Sequence, residues 1–493
     1  MKPPILLIHG YSAESHDSNY DQIKNIYGDL ASDLQQKMGA QIEEIDLSRW
    51  ISMEDGITLD DVSRALNRAL HISKPHLLMS GFHVIVHSTG ALVIRNWIRL
   101  FSPKPSPIIN LIHLAGANFG SGLAHIGKGQ MARWGRYLLQ NGAEPGVQIL
   151  GELELGSSKT LDLHRHFLFA HNRMLEDYHI HEYCIIGTQA NPAAYEYPIR
   201  YCKEDGSDGV VRVAAGNLNW NYIQITPDPD KALMPWSEVK SIKGSFQNRV
   251  GHVDGVYVVT NNISNGKNGL SEIPFAIPYL CSHGGEDMGV VSGSKTKSSV
   301  LPLLVKALSI ARNDMQSYRA LVQMFHDTTR ESHDRVVKEQ APGWTPWAED
   351  PRNQYDPHAQ VIFRIRDQDG RPVKHFDVFF DAPVNQPDSL PIRELFEDKH
   401  VNQHTPGCIC FYLRLAQFEK SAGTWVSKLS QVRECTLEIS ATEPETEDIA
   451  YLPVRYTLSG SALEGLLQVH RTTVVDITLL RLPSADVFNI IRY

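Results

Sequence analysis

The chain has 493 residues, which suits two or three domains at about 150 residues each. Apolar residues make up 42% and charged residues 21%, close to the globular average, and this excludes a disordered, collagen-like or coiled-coil protein. The 47 basic against 56 acidic side chains leave a net charge of −9, and no run of Lys or Arg is long enough to track a phosphate backbone, so nucleic acid is not an expected partner.

The first apolar run, Ile5 to Ile8, is too short for the apolar core of a secretion signal and stops at His9-Gly10, so it reads as a strand. A helical pattern over Tyr20 to Met38 leads to a second strand near Gln41 to Leu47. Thr58-Leu59-Asp60-Asp61 has the character of a helix cap and opens a helix over about Asp60 to Leu70. The β-branched run Phe82 to Val86 follows. The next segment, Ala91 to Phe101, is apolar on most sides and predicts a buried helix before a fourth strand, Ile108 to Leu114. The rhythm then breaks between Asn118 and His179, an insertion of a length that is usually functional, and resumes at Ile180 to Ile186. The insertion carries Lys128, Met131, Arg133, Trp134, Arg136, Tyr137 and Leu138, which suit a cap on the domain or a lipid surface. A second irregular stretch, about 217–271, is expected to add cap or extra strands. A strand at Phe275 to Leu280 and a helix from Ser299 to about Arg330 close this half.

Residues 331–357 are polar, contain Pro342-Gly343-Trp344-Thr345-Pro346-Trp347, and read as a linker. Beyond them Val361 to Ile365 and Phe376 to Phe380 flank Asp369-Gly370 as a hairpin would, and further strands are expected at 408–415, 431–439, 451–458 and 472–480. The expected architecture is therefore a doubly wound, mostly parallel α/β domain over 1–330 with a cap insertion at about 118–179, then an all-β sandwich over 358–493. Six cysteines show neither a C-x-x-C pair nor framework spacing, so a disulfide scaffold and a structural zinc site are not indicated. No H-E-x-x-H or comparable metal spacing surrounds His164 and His166, and Asp367, Asp369 and Gly370 lack the downstream acid of a calcium loop.

Ser88 lies in Val86-His87-Ser88-Thr89-Gly90, between the β-branched strand and the buried helix. A sharp turn there would lift its hydroxyl above the carboxyl edge of the sheet, and Gly90 lets the helix pass close to the strand. The plain alternative is a serine capping an ordinary helix. Val86 stands where glycine is usual at the first position of such a motif. A serine hydroxyl needs a base, an orienting acid and donors for the oxyanion. After the first strand, Ile8-His9-Gly10-Tyr11 can turn a backbone N–H, that of Tyr11, toward an ester oxygen, and the second donor would be the N–H of Thr89.

On these residues the chain resembles α/β-hydrolases of the lipase and esterase type, which carry an H-G oxyanion loop, a G-x-S-x-G elbow, an acid and a histidine in that order. The resemblance covers about residues 1–320. It implies an acid after a strand beyond the elbow, and Lys203-Glu204-Asp205-Gly206-Ser207-Asp208-Gly209-Val210-Val211, similar in its D-G-V-V ending to the acid loop of many bacterial lipases, points to Asp208. Glu204 and Asp205 are the neighbours that could be confused with it. The implied base lies after the last strand beside small residues, as His283 does in Cys281-Ser282-His283-Gly284-Gly285, whereas His252 lacks a preceding apolar strand. His9 and His87 are expected to orient their loops. The string Phe119-Gly120-Ser121-Gly122 looks like the entry to a lipase cap.

The resemblance implies a serine ester hydrolase, with Ser88 as nucleophile, His283 as base and Asp208 as orienting acid, no cofactor, and a lipid or other ester as substrate. An esterase or thioesterase on soluble substrates, an acyltransferase, and an inactive hydrolase-fold binding protein remain open at this point. Membrane contact is expected to be peripheral, since no stretch approaches the roughly 20 apolar residues of a span. The C-terminal domain is a candidate surface for a protein partner. The N-terminus favours the cytoplasm, and leaderless export as an effector would leave the same sequence.

Overall fold

The computed structural model describes residues 2–8, 22–52, 54–125, 146–190, 200–230, 255–266, 270–339, 350–381, 389–446 and 448–483. Contacts divide the chain into two compact units. One comprises Met1–Trp220, Ser264–Pro357 and Phe418–Trp425; the other comprises Asn221–Ile263, His358–Gln417 and Val426–Tyr493.

In the first unit the elements run β1 (Ile5–Ile8), α1 (Gln22–Tyr27), α2 (Leu30–Met38), β2 (Ile42–Ile45), α3 (Leu59–Ser73), α4 (Pro75–Ser80), β3 (Phe82–His87), α5 (Gly90–Phe101) and β4 (Ile108–Leu114). Two helices of the insertion follow, α6 (Val147–Leu153) and α7 (Ser158–His166), and then β5 (His181–Ile185) and the single turn α8 (Val213–Gly216). Next in the chain are β6 (Asn221–Pro227) and β7 (Tyr257–Ser264), strands of the second unit's sheet, and the first unit resumes with β8 (Phe275–Ala276), α9 (Lys297–Leu308) and α10 (Met315–Glu339). Among the described residues β2-β1-β3-β4-β5-β8 form one sheet in that order, with parallel pairing throughout. Strand β1 is a continuous apolar run, and β1, β3 and β4 are buried at every residue, as in a parallel sheet covered by helices on both faces. The order reverses between β1 and β3, and in such sheets the loops at the carboxyl ends beside that point carry the ligand site.

Local signals account for the helices. Thr58 and Asp61 form a capping box at α3: the Thr58 hydroxyl accepts from the Asp61 N–H at 3.3 Å, and the Asp61 carboxylate accepts from the Thr58 N–H at 3.1 Å. In α5, residues Gly90 to Ile98 are all buried. The single helix expected over 299–330 is two helices, α9 and α10, joined by residues 309–314, within which Asn313 takes a left-handed φ of 65°. The second helix runs on through Glu339, into the stretch that reads as a linker. Residues 350–357 also belong to the first unit, where Asp356 accepts from the Phe418 N–H at 3.0 Å and from Trp425 Nε1–H at 2.9 Å. The aromatic and basic stretch from Lys128 to Leu139 lies outside the described residues.

In the second unit, the described strands form a mixed six-stranded sheet in the order Phe396–Val401, Cys408–Arg414, His358–Asp367, Thr472–Leu479, β6 and β7, and an antiparallel three-stranded sheet of Phe376–Asp381, Glu434–Ala441 and Val454–Ser459. The stretch at 217–271 thus does supply extra strands, but they complete the sheet of the second unit: Thr473 pairs with Asn221 and Ile477 with Ile225 in parallel register. The two runs that flank Asp369-Gly370 do not pair as a regular hairpin. They lie in different sheets, and Asp367 instead closes a turn, its carboxylate accepting from the N–H groups of Asp369 at 3.0 Å and Arg371 at 2.8 Å. Inside the six-stranded sheet, Arg364 makes two 2.5 Å bonds to Asp476, which also accepts from the Tyr222 hydroxyl at 2.9 Å. Among the described residues no disulfide forms, and all six cysteines are buried.

In the first unit's sheet, the Asn110 side chain donates to His83 Nδ1 at 3.1 Å and accepts from His181 Nδ1–H at 3.1 Å. Burial, with the Arg312 charge added at His83, pushes both imidazoles down to about 4. Both rings stay neutral in the fold, yet take up protons near pH 6.5 when the chain unfolds. Their contribution to stability is whole above 6.5 and is lost as pH falls toward 4. Melting temperature should therefore decline across that window, and a double His83→Gln, His181→Gln variant should show a flatter decline than the parent.

Candidate active site

Ser88 leaves β3 with φ of 53°, a conformation that costs a residue with a Cβ about 1 kcal/mol or more. Neighbouring backbone enforces it. The Ser88 N–H donates to the Leu114 carbonyl at the end of β4 (3.1 Å), and the Ser88 carbonyl accepts from Ala91 in α5 and from Ala117 beyond β4 (3.2 Å each). Strand and helix thus hold the turn from both sides, and α5 begins two residues later.

His283 lies on the loop after β8. The Ser88 hydroxyl donates to its Nε2 at 3.1 Å, and its Nδ1–H donates to Asp208 Oδ2 at 2.9 Å. The His283 N–H also donates to the Asp208 carbonyl at 3.1 Å. This loop can approach β5 because residue 187 is glycine: a Cβ there would overlap the Cys281 carbonyl oxygen. Asp208 and His283 are 1% and 3% exposed, so the bond between them is shielded from competing water.

The Asp208 carboxylate is fixed at its second oxygen, Oδ1, which accepts from the N–H groups of Val210 at 3.0 Å and Val211 at 2.8 Å. Gly209, with φ of 92°, permits the chain to fold back over the carboxylate in this way. Glu204 and Arg212 bracket the loop and form a buried two-point ion pair, both contacts at 2.8 Å. Ser121, in the segment expected to enter the cap, donates its hydroxyl to the Val210 carbonyl at 2.5 Å. The segment at 350–357 holds both loops: the Gly206 N–H donates to the Gln354 carbonyl at 3.1 Å, and the Leu280 N–H to the Tyr355 hydroxyl at 2.9 Å.

Of the residues singled out from the sequence, Ser88, Asp208 and His283 therefore meet. Thr89 lies at the start of α5, where backbone N–H groups point out of the helix toward the carboxyl edge of the sheet. Tyr11, His9 and His252 lie outside the described residues. Glu204 has the structural partner just described. His164 is buried, with its Nε2 2.5 Å from the Asn118 carbonyl, and burial lowers its pKa well below the ordinary value. Among the described residues no group of three or more His, Cys, Asp or Glu side chains is arranged to hold a metal ion. Sequence reasoning missed the Glu204–Arg212 pair, although an acid and a base eight residues apart around a D-G turn were there to be noticed. It also missed the hold of Gln354 and Tyr355, which no local signal announces.

The phospholipase PlaB from Legionella pneumophila matches this chain with a TM-score of 0.75 over 100% of its length and 96% of that protein, at 22% identity. The chain has the α/β-hydrolase fold. A structure of the same protein in complex with thio-NAD matches this chain with the same values. The mature form of the Bacillus licheniformis lipase BlEst2 covers 44% of this chain and 79% of its own at 16% identity, with a TM-score of 0.30. No protein-family model matches this chain, and no curated protein sequence does. Among its described residues no helix is long and apolar enough to cross a membrane.

Arg212→Ala should leave the buried Glu204 carboxylate uncompensated and lower unfolding stability by about 3 kcal/mol in urea titrations. Hydrogen exchange at the amides of Val210 and Val211 should speed up as the acid loop loosens. Unchanged exchange there would show that the loop holds without the pair.

Proposed function

We propose that the protein is a serine carboxylic-ester hydrolase of the lipase and phospholipase type, acting through an acyl-enzyme intermediate. The observation that carries this reading is the unbroken line of hydrogen bonds from Ser88 Oγ through both ring nitrogens of His283 to Asp208. Ser88 attacks the acyl carbonyl as His283 Nε2 takes its proton, and Asp208 keeps the other ring proton on Nδ1 and stabilises the imidazolium. The N–H groups of Thr89 and Tyr11 hold the oxyanion in this proposal. Collapse returns the proton to the leaving alcohol, and water repeats the sequence on the acyl-enzyme.

A lipid ester is the favoured substrate class. The likeness to a protein described as a phospholipase extends over the whole chain, and the long insertion after β4, with Trp134 and Tyr137 among its residues, suits an acyl-chain substrate. Contact with lipid would then be peripheral. The decisive experiment compares the parent with Ser88→Ala on phospholipids, triglycerides and short esters. Turnover should fall at least about a thousandfold with the melting temperature nearly unchanged. A fluorophosphonate probe should label the parent at Ser88 and leave the variant unlabelled, and adding an alcohol acceptor would expose acyl transfer in place of hydrolysis. Full activity in the alanine variant would sink the assignment of the nucleophile.

A further inference from the structure

His87, the last residue of β3, is 4% exposed and touches the residue proposed above as the base. Its Nε2 lies 3.0 Å from the His283 carbonyl oxygen, and because a carbonyl only accepts, that nitrogen carries the hydrogen. The two rings are 4.7 Å apart between centroids and tilted by 44°. The His283 N–H meanwhile donates to the Asp208 carbonyl. Both backbone polar groups of His283 are thus committed, one to the acid and the other to the residue that precedes the serine.

We propose that His87 is a positioning residue: its Nε2–H anchors the His283 backbone to β3 and so sets the imidazole at hydrogen-bonding distance from Ser88 Oγ. The proposal rests on the triad reading above and names a residue outside the triad on which its geometry depends. The loop that carries His283 is tied at Leu280 and Ser282, but of the peptide groups of His283 itself the N–H is held by Asp208 and the carbonyl by His87. Without the second bond the residue is free to pivot about the first. Strand β3 is buried at every residue and paired on both sides, with β1 and with β4, so it is a rigid reference. Because Ser88 follows His87 directly, nucleophile and base take their positions from the same strand end. The tilted contact between the rings limits rotation of the His283 side chain, while the hydrogen bond limits translation of its backbone.

The test compares His87→Leu, which keeps bulk and removes the donor, with His87→Gln, which keeps an N–H able to reach the carbonyl. The leucine variant should lose roughly 10- to 100-fold in kcat, since displacements of an ångström at a reacting centre cost that much. Its KM should stay within about twofold, because the lost interaction is not with substrate. The glutamine variant should recover most of the rate. A second readout needs no turnover: the low-field proton resonance of His283 Nδ1–H against Asp208 should be sharp in the parent and the glutamine variant, and broadened or absent in the leucine variant. If leucine prevents folding, His87→Ala takes its place in both measurements. An unchanged kcat and resonance without the donor, or equal losses in the leucine and glutamine variants, would overturn the proposal and leave the hydrolase reading intact. A parent that hydrolyses no ester, with resonances behaving as expected, would instead sink the hydrolase reading and leave the anchor standing.

Discussion

Ser88 occupies a backbone region that a residue with a side chain enters only when its neighbours leave no alternative. Here they do so through ordinary backbone hydrogen bonds, from the end of β4 on one side and the start of α5 on the other. That compulsion follows from the parallel sheet. Every strand of it ends at the same edge, so the turns after β3 and β8 and the loop beyond β5 open toward one place. A serine, an acid and a histidine far apart in the chain can then meet without any long side chain having to reach.

Beneath the elbow, α5 is tied to the sheet by charge as well as by apolar packing. Arg95 in α5 pairs with Glu182 in β5, and His113 in β4 donates to the same carboxylate at 3.1 Å. All three are buried. Burial by itself would raise the Glu182 carboxyl, but the Arg95 charge and the His113 hydrogen bond outweigh it and hold it at about 2. Such a cluster contributes little compared with an apolar core of the same volume, and it is costly to break one partner at a time. Its three members come from three adjacent elements, so it admits few rotations of α5 about its own axis. The direction in which the helix presents its first residues is constrained with it.

Much of this was legible in the sequence, and the parts that were not share a cause. Strands β1, β3 and β4, the capped α3 and the buried α5 are written in local patterns of apolar residues, and each forms close to where those patterns put it. The position of Ser88 was legible for the same reason, since strand and helix abut it. Asp208 and His283 were found by resemblance, because a carboxylate beside glycine and a histidine beside glycine are common and carry no local mark of a shared partner. Pairing at long range was illegible. Strand β6 lies inside its sheet, yet nothing in residues 221–227 indicates that their partner is the strand at 472–479. The polar segment at 350–357 looked like a connector because its useful groups, a main-chain carbonyl and a buried phenol, leave no signature in composition.

That segment changes what the second half of the chain means for the first. Gln354 and Tyr355 each grip one of the loops that bring acid and imidazole together, and Asp356 is itself held by a return visit of the chain at Phe418 and Trp425. The meeting of Ser88, Asp208 and His283 is therefore braced by residues that are synthesised only after the sheet of the first unit, and the hold on Asp356 comes later still, after residues 358–417 of the second unit. A nascent chain released at residue 330 would have every strand of the parallel sheet and still lack the brace on the loops that carry Asp208 and His283.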